Sequence, residues 1–134
     1  MKKSEIAAVP ILKNVQGDVV CDTTIACKVA PFAGANLEPA ALLFTGIDPE
    51  DPDRNALEED EALRTIFQPI RRLMREHNCK RAIVVAHNAH FDLGFLNAAC
   101  QRTDFKRNPF HPFSCFDTAT LGGLAFGQTV LARA

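Results

Sequence analysis

The run Arg81-Ala82-Ile83-Val84-Val85-Ala86-His87-Asn88-Ala89-His90-Phe91-Asp92 decides the fold. After Arg81 its first half is continuously apolar, the pattern of a short strand covered on both faces. His87-Asn88 then breaks the strand, and a carboxylate stands at the mouth of a helix predicted from about Phe91 to Arg102. In α/β proteins the groups of a site gather beyond the carboxyl ends of strands. Asp92 is therefore the leading candidate metal ligand. Hard cations such as Mg²⁺ take carboxylate oxygens, and two-metal centres clamp both the attacking and the leaving oxygen of a phosphate diester. The plainer alternative is a negative charge favoured in a first helical turn. Asn88 orients the turn or acts as an ordinary cap. Zinc on His87, His90 and Cys79 is disfavoured, because the spacing matches no familiar structural site.

Upstream, Ile6 to Leu12 predicts a strand interrupted by Pro10, and Gln16-Gly17-Asp18 a turn. Val19, Cys21, Thr23, Ile25, Cys27 and Val29 then alternate with polar residues, the period of a half-buried strand. Together they predict a hairpin over residues 5–30. Leu37 to Phe44 predicts a short helix, with Pro39 near its start and Gly46 just past its end. Asp48 to Asp53 is a rigid acidic loop; its prolines and missing turn glycine exclude a calcium-binding helix-loop-helix. Residues 57–77 predict the longest helix, with Leu63, Ile66, Phe67, Ile70, Leu73 and Met74 on one face and Pro69 inside it.

Downstream, Lys106-Arg107-Asn108-Pro109-Phe110-His111-Pro112-Phe113 is predicted as an irregular loop. Its cations can meet phosphates and its rings can stack on splayed bases; alternatively its phenylalanines tuck into the core. Phe44 and Phe91 carry the same two possibilities. His77 and His111 are expected at the surface. Ser114 to Phe116 predicts a short strand, and Asp117 a cap for a helix bearing Leu121, Leu124 and Leu131. The alternation of elements predicts one α/β domain over residues 1–134.

The composition fits a globular chain: 47% hydrophobic, 23% charged. The formal net charge of -1 gives no global attraction to nucleic acid, so any such binding needs a local patch. Five cysteines without a Cys-x-x-Cys pair suggest buried thiols in a reducing cytoplasm. No run reaches membrane-spanning length, and no secretory leader is expected, because Pro10 and Lys13 cut the apolar run from Ile6 to Leu12 short.

Asn88-x-x-Phe91-Asp92 resembles the second motif of the DEDD family of 3′–5′ exonucleases. The likeness to that family's stable-RNA-trimming members extends over Pro31 to Leu37, Phe44 to Pro49, Asp51 to Arg54, Lys106 to Phe113, Phe116 to Ala119 and Gly127 to Leu131. It covers nearly the whole chain, from about Glu5 to Ala132. The resemblance implies a ribonuclease H-like mixed sheet flanked by helices, a homodimer, and Mg²⁺-dependent removal of nucleotides from the 3′ ends of tRNA and other stable RNA, or of single-stranded DNA. It matches Asp92 to the third acidic ligand, and Phe44, Phe91 and Phe113 to rings that wedge against terminal bases. Arg81 and Lys106 match a basic patch that serves the partner's active site, with Arg107 beside them. It places an Asp-x-Glu pair ahead of Glu5, and the general-base histidine and last aspartate after Ala134. The chain is then expected to be a partial exonuclease domain, without the central first strand and the C-terminal helices, and with negligible catalysis by itself. The rival expectation is a non-catalytic single-strand-binding or dimerisation remnant built on Arg81, Lys106, Arg107 and the phenylalanines. It predicts salt-sensitive, metal-independent binding.

Overall fold

The computed structural model describes residues 5–130 and 132, which divide into two compact units after Arg72. The first unit begins with β1 (Glu5–Ala8), β2 (Ile11–Lys13), β3 (Val19–Cys21) and β4 (Ile25–Lys28). β1 pairs antiparallel with β4, Ile6 level with Cys27; β2 pairs antiparallel with β3, Leu12 level with Val20. The expected hairpin is therefore present, split into two ladders. Pro10 lies at the split, where its missing N–H costs no ladder bond, and its carbonyl accepts the Asp22 N–H at 2.8 Å. Asn14 closes the far turn, its Oδ1 accepting the N–H groups of Gln16 at 3.0 Å and Asp18 at 2.8 Å. The alternation predicts a half-buried strand through residues 19–29. Val19, Val20 and Cys21 are instead all exposed, because a two-stranded ribbon gives its residues little cover.

Helix α1 (Pro39–Thr45) starts two residues later than predicted, with Pro39 in the first turn, where no N–H is needed. It ends at Gly46, whose φ of 66° is left-handed and whose N–H reaches Leu42 O at 2.9 Å. Gly46→Ala is expected to cost about 1–2 kcal/mol, since a Cβ is strained there. The opposite sign is expected at Gly94, an exposed helical glycine where an added Cβ would meet open space. Gly94→Ala is expected to add about 0.5–1 kcal/mol. Urea unfolding of the two variants checks both signs.

A single-turn 3₁₀ helix (Pro52–Arg54) leads to α2 (Glu59–Glu76). Of the face read in the sequence, Leu63, Ile66, Phe67 and Ile70 are buried, together with Ala62, whereas Leu73 and Met74 are only half-buried. Acidic residues fill its first turn and Arg75 its last, as the helix dipole favours. Pro69 lies inside the helix. From β4, the Cys27 thiol donates to Ala62 O at 3.8 Å, and burial pushes that thiol up from its ordinary value.

The second unit is a β-α-β arrangement followed by a helix: β5 (Ala82–Ala86), α3 (Ala89–Arg102), β6 (Phe110–Asp117) and α4 (Thr118–Phe126). β5 and β6 are parallel neighbours. Val84, Ala89 and Leu93 form the core, with Ala86, Phe110 and Cys115 packed on it. Three expectations are corrected. The apolar run predicts β5 covered on both faces, yet Ile83 and Val85 are exposed and only Val84 is buried; α3 covers a single face of the strand pair. Residues 106–113 are not wholly irregular, since β6 begins at Phe110 and absorbs the predicted strand 114–116. The helix predicted to bear Leu121, Leu124 and Leu131 carries the first two, both exposed, and ends at Phe126; Leu131 lies outside the described residues.

Candidate active site

Because β5 and β6 run parallel, both open at the same end of the unit, with Ala86 level with Asp117. That register brings the Asp117 carboxylate to the turn between β5 and α3. Its Oδ1 accepts the N–H groups of Asn88 at 3.0 Å and Ala119 at 2.9 Å, and its Oδ2 accepts that of Ala89 at 3.2 Å. One side chain thus caps α4 and ties down the start of α3. Desolvation pushes this carboxyl up, but the amides of Ala119, Asn88 and Ala89 together with the charge of His90 outweigh it and hold it below the usual aspartate value.

His87 bridges the same turn to the chain beyond α4. Its Nδ1 is 3.1 Å from Thr118 Oγ1 and its Nε2 2.9 Å from Thr129 O. A carbonyl only accepts, so Nε2 carries the proton. Asn88 sits at the cap position in the left-handed conformation, φ 58°, without a side-chain cap bond. Its expected capping role is taken by Asp117 from another element. Those amide bonds also explain why α3 begins at Ala89, ahead of the predicted Phe91.

Asp92 lies half-buried in the first turn of α3, at the carboxyl end of β5. Phe91 beside it is 55% exposed, its ring 5.5 Å from His90 and 6.1 Å from Phe95. Phe113 is 81% exposed, whereas Phe110 packs on the core, so the aromatic segment divides between the two roles weighed for it. In the first unit, Phe44 projects from the last turn of α1 and is 91% exposed.

Arg81, Lys106 and Arg107 are exposed and stand at the opposite end of the strand pair, just before β5 and β6 begin. Ala82 N–H donates to Pro109 O at 3.0 Å, which brings the two entrances together. Lys106 pairs with Asp104 at 3.5 Å, an exposed contact of little energetic weight. The length of β5 therefore separates these cations from Asp92. His77 is exposed as expected, but His111 is half-buried and bonded to backbone, because its ring turns back onto its own strand.

Among the described residues no group of three or more His, Cys, Asp or Glu side chains converges to hold a metal ion. Asp117, the other acid at this end of the sheet, is already engaged by amides. The described residues do not by themselves fit a two-metal centre. None of the five cysteines is in a disulfide; Cys21 and Cys79 are exposed, against the expectation of buried thiols. Among the described residues no helix is long and apolar enough to cross a membrane.

The sequence marks Asp117 only as a helix cap and gives no sign of its second attachment. The cap signal is local, while the attachment to Asn88 and Ala89 depends on the parallel register of two strands far apart in sequence.

The exonuclease family profile matches residues 1–133, and the chain belongs to that family. Its mixed α/β elements are of the ribonuclease H-like class. Among characterised proteins it is similar to Ribonuclease T of Escherichia coli (strain K12), of Escherichia coli O157:H7 and of Shigella flexneri, each 56% identical over 130 residues. The match covers 97% of this chain and 60% of each relative. The chain thus spans less than two thirds of the length of those relatives.

Proposed function

We propose that the chain is part of a Ribonuclease T-like, Mg²⁺-dependent 3′–5′ exoribonuclease of the cytoplasm that trims the 3′ ends of tRNA and other stable RNA by two-metal hydrolysis. Asp92 supplies one carboxylate to the metal pair, and Phe44, Phe91 and Phe113 are the rings on which terminal bases stack. The observation that carries this reading is the strand-turn-helix from β5 to α3, which holds Asp92 at a strand's carboxyl end beside an exposed Phe91. The position of Arg81, Lys106 and Arg107 at the other end of the strand pair supports their service to a second copy in a homodimer rather than to Asp92 of the same molecule. Cysteines that form no disulfide support a reducing compartment.

The donor set favours a second reading for these residues taken alone: a single-strand-binding module without hydrolysis. One carboxylate does not hold two cations in register. The test combines the chain with a short RNA bearing a 3′ overhang, with and without Mg²⁺. The expected result is salt-sensitive binding that needs no metal, and no shortening of the RNA. Metal-dependent shortening that disappears in Asp92→Asn would overturn the non-catalytic reading and support hydrolysis by these residues. Absence of any RNA binding would overturn both.

A further inference from the structure

β6 does not run evenly beside β5. Ala82 is level with Phe110 and Val84 with Cys115, so Ile83 alone stands opposite His111, Pro112, Phe113 and Ser114. Excursions of this kind interrupt a ladder and re-aim a side chain. Pro112 suits such a segment, because it has no N–H to give a ladder. Both flanks are fixed. Phe110 and Cys115 pack on the core of Val84, Ala89 and Leu93. Phe110 N–H also donates to Asn108 Oδ1 at 3.0 Å, and Asn108 Nδ2 reaches Asn97 Oδ1 on α3 at 3.4 Å.

Between those anchors the excursion is fastened from inside by one imidazole. His111 Nδ1 accepts the Ser114 N–H at 2.9 Å and the Phe113 N–H at a longer 3.4 Å. The His111 ring also meets the Phe113 ring edge-on, with centroids 4.6 Å apart and planes at 89°. The ring that it fastens is among the most exposed phenylalanines of the chain.

We propose that His111 is a positioning residue for Phe113, acting as a neutral imidazole whose Nδ1 accepts two backbone amides and so presets the ring for a single-stranded 3′ end. This rests on the reading of Phe113 as a base-stacking platform. A nitrogen accepting from amides carries no hydrogen, so the proton sits on Nε2. A platform held ready before binding loses less freedom when a base arrives. Two substitutions separate the contributions. His111→Asn keeps an acceptor oxygen close to the position of Nδ1 without the ring. His111→Phe keeps a ring for the edge contact but removes the acceptor.

The full chain is titrated with a short fluorescent single-stranded RNA by anisotropy, and the tautomer of His111 is read from long-range ¹⁵N–¹H correlations of its imidazole. Phe113→Ala is expected to weaken binding about tenfold, as loss of one stacked base predicts. His111→Phe is expected to weaken it in the same direction, by about threefold or more, with His111→Asn restoring most of the loss. The wild-type spectrum is expected to show unprotonated Nδ1 and protonated Nε2. If Phe113→Ala binds as well as wild type, the platform reading fails and this inference with it. If Phe113→Ala weakens binding while His111→Phe does not, only the positioning role is overturned. A protonated Nδ1 in the wild-type protein overturns it independently of whether any variant folds.

Discussion

Phe67→Ala is expected to destabilise the chain by about 3–5 kcal/mol, the usual cost of truncating a buried phenylalanine. Phe67 is 0% exposed and sits on the α2 face that also buries Leu63, Ile66 and Ile70. Alanine there loses the transfer of a whole ring and leaves a cavity that the close-packed surroundings fill only in part. Total stabilities of domains are only about 5–15 kcal/mol, so the variant forfeits a large part of the stability of the fold. Urea unfolding reads the loss as a lowered midpoint. Leu43→Ala, at an exposed position of α1, serves as the control and is expected to change little. A Phe67→Ala midpoint equal to that of the control would show that the buried α2 face does not contribute a core.

The second large effect is expected at Asp117. In Asp117→Asn one acceptor oxygen becomes an NH₂ that confronts a backbone N–H, so at least one of the three amides now bonded to the carboxylate loses its partner. The helix starts of α3 and α4 loosen together, and the melting temperature falls at neutral pH. The pH dependence has a definite sign. The folded carboxyl is held below its ordinary value of 3.8, so the unfolded chain takes up the proton first as pH drops. The contribution of the charged group is complete above that ordinary value. It disappears as pH falls through the lower folded one. Melting curves of wild type and Asp117→Asn should therefore differ at neutral pH and converge in acid. A gap that persists unchanged into strong acid would contradict the assignment of the charged carboxylate as the fastening.

Local chemistry makes much of this fold legible in the sequence. Pro39 and Gly46 bracket α1 because each has a backbone geometry suited to one helix end. The face of α2 follows from spacing alone, and Asp117 from its position ahead of a helix. What stays hidden depends on pairing. The apolar run 82–86 looks the same whether it has neighbours on one face or two, so the exposure of Ile83 and Val85 leaves no mark in it. The segment 106–113 mixes core and surface rings because Phe110 and Cys115 are pulled onto Val84 while Pro112 and Phe113 between them are exposed. The same is true of the candidate site. Asp92 is visible from its place after a strand, but the clasp that sets its helix is not. Nor is the bonding of His111, which local sequence offers only as one more surface histidine.

The two solvent-facing thiols have a practical consequence. Cys21 belongs to the unit before Arg72 and Cys79 to the one after it, while Cys100 is buried and Cys27 and Cys115 are half-covered. Accessible thiolates react ahead of sheltered ones. A donor dye and an acceptor dye can therefore be attached with one fluorophore on each half of the polypeptide. Energy transfer between them then gives a ruler for following how the halves approach or separate as an oligonucleotide is added.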